Sequence, residues 1–411
     1  MKRRTFLAAM PLLGFVAAGA ASARYWPDQG FRNPCRSDLP PALADHELVR
    51  AAWEGIDAAR VWDCHTHLVG SGDSGSGAWF SPAMDSYWHP VLHLQKLFYL
   101  NAGCIHDEHG KMDSSYVARM RNLIDGMRPG FKAMLFAFDW YHDEQGRAQK
   151  GQSLFYIPNE YAAATARQFP AEFEWVASIH PYRQDCVETL QAVAKQGARA
   201  IKWLPSAMGI DPLSARCDRF YEALARLQLP LISHAGREMA VQGGSQEWGN
   251  PLRLRRALDH GVRVVVAHCA SDGDDQDIDA GEHGPRVRSF ELFARMMGEV
   301  RYQDLLFGDI SALTQLNRAW ALKHVLEHND WHARLLNGSD YPLPGIMPLF
   351  SPSRLAAEGL LDEQAVAPLN EIRQHNPLLF DFVLKRSLHV GQQKFPAAIF
   401  ETRPFFERTR S

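Results

Sequence analysis

The histidine pair His65 and His67 is the strongest chemical signal in this sequence. Both belong to the run Asp63-Cys64-His65-Thr66-His67, which follows the apolar pair Val61-Trp62. Side chains two residues apart on a β-strand point to the same face, so both imidazoles can reach one ion. Imidazole is the commonest metal-binding side chain, and a catalytic Zn²⁺ site combines N, O or S ligands with an open position. The spacing therefore predicts half of a metal site on a strand.

Further candidate ligands follow other apolar segments of the chain. Near the carboxyl ends of such segments stand Lys202, His234, His268 and Asp340. One histidine in such a place is more often a packed core residue than a ligand. Packing does not explain, however, why polar residues recur at the ends of several apolar segments. We interpret them as the rest of the metal site.

Two more residues are candidates for binding substrate. His180 lies near the end of another apolar segment, and Arg237 stands three residues past His234. A guanidinium can hold a substrate carboxylate through two parallel hydrogen bonds. Packing for His180 and a salt bridge within the loop for Arg237 are the alternatives that the sequence leaves open.

Eight apolar segments alternate with stretches of helical spacing, which include a last helix at residues 369–385. The predicted strands are 61–68, 132–140, 173–181, 198–205, 229–236, 263–270, 305–312 and 333–342. Near-continuous apolar strands indicate a parallel sheet that is buried on both faces. We therefore predict an α/β protein with a single (β/α)8 TIM barrel at residues 60–411, after an N-terminal extension at residues 24–59. Active sites of such barrels lie at the carboxyl ends of the strands, where the candidate ligands stand.

A long loop after strand 1 interrupts this regular alternation. Residues 69–112 contain a Gly/Ser run at 70–77 and then an aromatic stretch. Connections longer than about 15 residues are usually functional or disordered. This one emerges at the carboxyl face of the barrel, so a lid, a homo-oligomer contact and a flexible insertion are the three interpretations.

Residues 1–23 have the pattern of an export signal. Lys2-Arg3-Arg4-Thr5-Phe6-Leu7 precedes a weakly apolar run that ends in the cleavage-like Ala21-Ser22-Ala23. The adjacent arginines resemble the twin-arginine signal of bacteria, which predicts a periplasmic or secreted protein. No other stretch reaches the ~18 apolar residues of a membrane span, so we expect no stable span after signal cleavage.

The charge balance and the cysteine positions limit which binding partners and metal sites we expect. The chain has 44 basic and 47 acidic residues, a balance without the basic footprint of a nucleic-acid-binding protein. We expect small-molecule substrates instead. The six cysteines lack the C-x-x-C spacing of a thiolate zinc site, and their positions allow no disulfide pairing to be deduced.

The motifs together resemble the amidohydrolase superfamily of metal-dependent (β/α)8 enzymes. Asp63-Cys64-His65-Thr66-His67 matches its D-x-H-x-H on strand 1, and His234, His268 and Asp340 fall in order on strands 5, 6 and 8. The phrases Ser178-Ile179-His180-Pro181-Tyr182 and Asn337-Gly338-Ser339-Asp340-Tyr341-Pro342 look like its amidohydrolase-2 branch, the aminocarboxymuconate-semialdehyde decarboxylase-like group. The resemblance covers roughly residues 60–390.

This resemblance implies roles for individual residues. His65, His67 and Asp340 would bind a divalent metal, zinc foremost, and His234 would join it or bind a second ion. Asp340 would also take a proton from metal-activated water, while His268 would bind a second metal or hydrogen-bond the reacting group. Lys202 has three readings: a carbamylated lysine that bridges two ions, an ammonium that binds or polarises substrate, and a structural residue.

The resemblance also implies the reaction. The expectation is a hydrolase that uses metal-activated water to cleave an amide, ester, lactone or related bond. The same branch includes non-oxidative decarboxylases and hydratases of carboxylic acids, and the ligand set does not discriminate between these reactions. A non-catalytic metal-binding barrel would have lost its base, whereas Asp340 is present.

Overall fold

A computed structural model describes residues 27–106, 108–241 and 243–407. The predicted export signal at residues 1–23 lies outside this range. Within it, eight strands form the centre of the molecule: β1 (Trp62–His67), β2 (Lys132–Phe136), β3 (Phe173–Val176), β4 (Ile201–Trp203), β5 (Leu231–His234), β6 (Val264–Ala267), β7 (Leu306–Asp309) and β8 (Leu335–Leu336). Each strand lies inside a predicted segment and is shorter than it.

The eight strands close into a parallel barrel. One sheet has the order β1-β2-β3 and another the order β4-β5-β6-β7-β8, and every pairing within them is parallel. Parallel bridges between Ala177 and Ile201 and between Thr66 and Tyr341 join the two sheets on both sides. His67 N donates to Tyr341 O at 2.8 Å across the second junction. The fold is the predicted (β/α)8 barrel.

Helices follow the strands and cover the barrel from outside. After β1 to β7 in turn they are Met112–Asp125, Asn159–Gln168, Cys186–Lys195, Asp218–Leu227, Arg255–Asp259, Ser289–Met297 and Leu322–Glu327. After β8 they are Pro352–Ala357, Glu363–His375 and Pro377–Ser387. The prediction of one last helix at 369–385 is wrong, because Asn376 separates Glu363–His375 from Pro377–Ser387 and caps the latter by accepting from Leu379 N at 3.0 Å.

Further helices and pairs of short strands lie outside the barrel. The helices are Pro41–Ala44, Glu47–Ala52, Pro90–Ala102, Pro205–Met208 and Arg403–Phe406. Antiparallel pairs of short strands join Trp79–Phe80 to Phe155–Tyr156, Asp274–Gln276 to Arg286–Arg288, and His389–Val390 to Gln393–Lys394. No helix among the described residues has both the length and the apolar character needed to cross a membrane.

Apolar side chains fill the barrel below its carboxyl rim. Trp62, Phe136, Ile232 and Val265 belong to one buried cluster that several strands supply. A much larger cluster lies between the strands and the surrounding helices. Because packed side chains close the barrel below the rim, a substrate can enter only from the rim.

The long loop after β1 is folded around Asp113. This carboxylate is buried and accepts hydrogen bonds from Ser71 N at 2.6 Å, Ser74 Oγ at 2.7 Å and Ser76 Oγ at 2.6 Å. The Gly/Ser run is therefore ordered by a specific acceptor. Further along, the loop contributes the helix Pro90–Ala102, and a disulfide between Cys35 and Cys104 ties the N-terminal extension to it.

Candidate active site

The six predicted metal ligands come together at the carboxyl rim of the barrel. All of them line one cavity of about 560 Å³: His65, His67, Lys202, His234, His268 and Asp340. This volume lies within the range of small-molecule sites, roughly 300–1,000 Å³. The rim geometry of a parallel barrel gathers residues that are up to 275 positions apart in sequence, from His65 to Asp340.

Strand β1 carries a local irregularity at the histidine pair. Its register against β2 shifts between Asp63 and Thr66. The buried Asp63 carboxylate accepts from His65 N at 3.2 Å and from Ser339 N at 2.8 Å, so it fastens β1 to the segment that carries Asp340. Burial raises the pKa of Asp63 to about 6, although its hydrogen bonds with Ser339 oppose the shift.

One group of possible ligand atoms consists of His65, His67 and Asp340. Nε2 of His67 lies 3.0 Å from Asp340 Oδ1, and Nε2 of His65 lies 3.4 Å from the same oxygen. One ligand atom from each of the three residues lies within 4.8 Å of the others. Ligands that each sit about 2.0–2.2 Å from one Zn²⁺ ion have such separations.

Hydrogen-bond acceptors orient the imidazoles of His65 and His268, and the Glu238 carboxylate lies beside that of His234. Asp309 Oδ2 lies 2.9 Å from Nδ1 of His65, Ser311 O 3.1 Å from that of His268, and Glu238 Oε2 3.3 Å from that of His234. An acceptor at Nδ1 holds the proton there and leaves the Nε2 lone pair for an ion, as in the carboxylate–histidine–metal arrangement. Nε2 of His234 is buried and has no hydrogen-bond partner within the described part of the chain. This donor set fits a divalent ion.

Burial and neighbouring charges keep these side chains in their metal-binding states. Burial lowers the pKa of His65 and His268 well below the ordinary value, and it also lowers that of His234. Burial alone would raise the pKa of Asp340, but the neighbouring His65, the hydrogen bond with His67 and the charge of Lys202 outweigh it, and the net pKa is lowered. His65, His234 and His268 are therefore neutral and Asp340 is ionised at neutral pH.

Lys202 reaches the same cluster from β4. Its Nζ lies 3.2 Å from Nε2 of His65, and the side chain is buried. Burial lowers the pKa of Lys202 to about 8, against the attraction of Asp309 and Asp340. About a tenth of this amine is then neutral at pH 7, which allows a carbamate to form, while the ammonium that predominates suits a polarising group.

Two of the candidate ligands have unusual backbone conformations. His268 has φ of 55° and Asp340 has φ of 61°, in the left-handed region that side-chain-bearing residues rarely adopt. Cys269 and Ala270, directly after His268, share this conformation. These backbone conformations end the strands and direct both side chains to the cavity. Strained backbone of this kind clusters at functional sites.

The two predicted substrate ligands are placed differently. His180 is fully buried away from the cavity; its Nε2 donates to Met208 O at 3.0 Å and its Nδ1 accepts from Tyr182 N at 3.2 Å. Both ring nitrogens are used within the protein, so His180 is not part of the site. Arg237 does line the cavity, where its half-exposed side chain pairs with Asp272 at 3.0 Å.

Sequence reasoning missed several residues that complete the site. Asp309 ends β7 and could have been found by the strand-end rule that selected Asp340. Glu238 follows His234 by four residues in a loop, and Arg318 stands far beyond the end of β7. Neither carries a sequence signal, because only the folded loops bring these two side chains to the cavity.

Comparisons with known proteins found one family model and several solved structures that are similar to this chain. A family model described as Amidohydrolase matches residues 62–364. Among solved structures, 5-carboxyvanillate decarboxylase from Sphingomonas paucimobilis is 10% identical with a TM-score of 0.47, over 85% of this chain and 99% of that one. A probable 2-pyrone-4,6-dicarboxylic acid hydrolase from Acinetobacter baumannii is 13% identical with a TM-score of 0.44, over 79% and 99%. The search among curated proteins found no match.

Proposed function

The chain belongs to the amidohydrolase family, and from this premise we propose that it hydrolyses an amide, ester, lactone or related bond of a small molecule in a metal-dependent reaction. The observation that carries the proposal is the convergence of Nε2 of His65 and His67 with the Asp340 carboxylate, beside the unpartnered Nε2 of His234. Zinc suits these nitrogen and oxygen donors. A bound divalent ion would polarise the carbonyl and activate water.

Asp340 and His268 have separate roles in the proposed reaction. Asp340 is held ionised by its neighbours, so its carboxylate can take a proton from water. His268 donates from Nδ1 to Ser311 O and offers the lone pair of Nε2, which suits an ion or a proton in transit. Donation from Nε2 would require a second proton on this ring, and burial opposes that charge.

Lys202 is proposed to take one of two forms. As a carbamate, its neutral amine would form an N–C bond with CO₂ and release one proton, and the new carboxylate would bridge two ions. As an unmodified lysine, it would polarise substrate next to a single ion. Intact-mass measurement under native conditions separates the forms, since only the first adds the mass of CO₂.

A non-oxidative decarboxylase is the second candidate. One observation favours it: the cavity wall carries the buried guanidinium of Arg318 without a carboxylate partner among the described residues, which suits an acidic substrate. Assays with hydroxybenzoates beside lactones, aryl esters and amides discriminate between the two reactions.

Export is proposed together with the activity. The twin-arginine pattern at Arg3-Arg4 supports a periplasmic or secreted location, and the disulfide between Cys35 and Cys104 suits an oxidising compartment. Replacing both arginines by lysine should leave the protein in the cytoplasm in a fractionation experiment. A homo-oligomer stays a prediction, which light scattering of the purified protein tests.

The main experiment combines metal removal with one substitution. Chelation should abolish turnover, and adding Zn²⁺ back should restore it. Asp340→Asn should lower kcat by about 100-fold or more, the usual contribution of a general base. Turnover that survives both treatments would contradict the proposed function.

A further inference from the structure

Lys385 is a buried cation that the proposed reaction does not use. Its side chain is 0% exposed and pairs with that of Asp381, which is 1% exposed and precedes it by four residues in the helix Pro377–Ser387. Aspartate and lysine at this spacing commonly pair on the solvent face of a helix, where the pair contributes little. Burying the two charges is costly, because both must be taken out of water. Stabilising the helix is therefore no sufficient reason to bury this lysine.

The second contact of Lys385 leads to the candidate active site. Its Nζ donates to Asp381 Oδ2 and to the carbonyl oxygen of Gly338, each at 2.6 Å. Gly338 stands two residues before Asp340, in the segment 337–341 that follows β8. A hydrogen bond from an ammonium is stronger than one between neutral groups. The helix is thus attached to the backbone that carries a candidate metal ligand.

The same segment is also attached to β1. Asp340 N donates to His65 O at 2.8 Å, and Cys64 N donates to Asn337 O at 3.1 Å. Gly338 packs so closely on this strand that a Cβ on the glycine would collide with Cβ of His65. Hydrogen bonds to two elements, β1 and the helix, therefore fix the position of the segment.

Asp340 requires such support because of its backbone conformation. Its φ is 61°, in the left-handed region that residues with a side chain keep only where surrounding contacts enforce it. This conformation directs the carboxylate to the histidine cluster, where Oδ1 lies 3.0 Å from Nε2 of His67. If the carbonyl of Gly338 lost its donor, the backbone could relax and Oδ1 would move away from the histidines.

We propose that Lys385 is a positioning residue, which holds the Asp340 carboxylate at the histidine cluster through the carbonyl of Gly338. Asp381 neutralises the buried ammonium and does not itself orient Asp340. The statement that Asp340 binds an ion and takes a proton rests on the proposed function. The attachment of the segment 337–341 to Lys385 does not.

Three variants separate positioning from stability. Lys385→Met combined with Asp381→Leu removes both charges, and apolar side chains of similar size can replace a buried pair with little loss of stability. Asp381→Asn keeps an oxygen that can accept from Lys385, and the amine still donates to Gly338 O. Arg386→Met is the matched control on the same helix, because Arg386 Nε donates to another backbone carbonyl, Ala52 O at 2.9 Å, which does not line the cavity.

The affinity of the full-length proteins for Zn²⁺ is the first readout, measured by competition with a chromophoric chelator. The double variant should bind about tenfold more weakly than wild type or worse, the usual effect of losing a partner that orients a ligand. Asp381→Asn and Arg386→Met should each change the affinity by less than about threefold, because both keep the donor to Gly338 O. Urea unfolding of the same proteins gives their stability. A merely structural role predicts instead that affinity follows stability, whichever residue is replaced.

Hydrogen exchange in metal-free protein is the second readout and does not depend on the proposed function. Exchange at residues 337–341 should be about tenfold faster in the double variant than in wild type, and unchanged in Arg386→Met. If wild-type protein fails to bind Zn²⁺, the proposed function is rejected, and the exchange rates still decide whether Lys385 holds the segment.

Two outcomes would overturn the proposal. One is wild-type exchange at residues 337–341 in the double variant. The other is a Zn²⁺ affinity that is unchanged in the double variant or falls equally in Arg386→Met. If the double variant does not fold, Lys385→Met alone replaces it at pH 6, compared with wild type at the same pH, because burial raises the pKa of Asp381 to about 7 and leaves its carboxyl mostly neutral there.

Discussion

At the scale of single residues, the hydrogen-bond acceptors that contact Nδ1 of the histidines are as important for ion binding as the histidines themselves. Asp309 Oδ2 lies 2.9 Å from Nδ1 of His65, and Asp309 Oδ1 accepts from His268 N at 2.9 Å. One buried carboxylate thereby positions residues from two strands. Its removal should disturb ion binding even though the site contains other ligands.

Asp309→Asn keeps the shape of this side chain and removes its charge. We expect the affinity for Zn²⁺ to fall by about 10- to 100-fold, the usual effect of losing such a supporting partner. Competition with a chromophoric chelator measures the change. Asp139→Asn is the control, because Asp139 is a buried carboxylate that pairs with Arg183 and does not line the cavity. Equal affinities in all three proteins would contradict the role of Asp309.

The sequence allowed the candidate ligands that line the cavity to be predicted better than the residues around them. His65, His67, His234, His268 and Asp340 follow from one rule, that polar residues at the carboxyl ends of parallel strands meet at one rim. The rule does not apply to loop residues, so it did not identify Arg318 and Glu238 as residues of the cavity. His180 satisfied the rule and yet turns away to bind the Met208 carbonyl.

At the scale of elements, all eight strands were found but their ends were not. The segment 333–342 reads as one strand, whereas β8 is only Leu335–Leu336. The left-handed conformation of Asp340 is incompatible with a continuing strand, and no sequence pattern marks a non-glycine residue for it. Hydrophobic patterning therefore fails to locate the end of a strand where the chain turns sharply toward the cavity.

The Gly/Ser run of the long loop should depend on Asp113. Asp113→Ala leaves the amides of Ser71 and Gly72 and the hydroxyl of Ser74 without their acceptor. We expect a loss of about 3 kcal/mol in the free energy of unfolding and faster hydrogen exchange at residues 71–76. Ser76→Ala removes one donor to Asp113 and the acceptor of Ala78 N, and it should cost less, about 1 kcal/mol. Unchanged exchange in Asp113→Ala would show that another contact orders the loop.

The helix Pro377–Ser387 predicts a pH dependence of stability. Its Asp381 pairs with Lys385 at 2.6 Å, and burial raises the pKa of Asp381 from 3.8 to about 7. The folded protein keeps a proton that the unfolded chain releases, so the free energy of unfolding falls as pH rises from 3.8 to about 7. The full shift corresponds to roughly 4 kcal/mol. Urea unfolding across this window should show a shallower fall in Asp381→Asn, and parallel curves would refute the assignment.

At the scale of the whole molecule, the barrel, the long loop and the N-terminal extension are joined into one unit. The disulfide between Cys35 and Cys104 closes a loop of 69 residues, and Arg119 Nη1 donates to Arg36 O at 2.9 Å beside it. The sequence offered six cysteines without a pairing rule. Only the fold shows which two of them meet.

Removing this disulfide should lower the stability of the whole protein. Cys35→Ser restores chain entropy to the unfolded state, and for this loop length the cost is about 4 kcal/mol. Chemical unfolding measures the loss. Wild-type protein treated with a reductant should match the variant, and a variant as stable as the oxidised wild type would argue that the extension is held by other contacts alone.

The most direct test of the account is anomalous diffraction at the zinc edge from crystals of the purified, zinc-loaded protein. We predict a peak about 2.0–2.2 Å from Nε2 of His65, Nε2 of His67 and the Asp340 carboxylate. A second peak bridged by a modified Lys202 would add the two-ion form of the site. Absence of any peak among His65, His67, His234, His268 and Asp340 in zinc-loaded crystals would contradict the metal centre on which the proposed function depends.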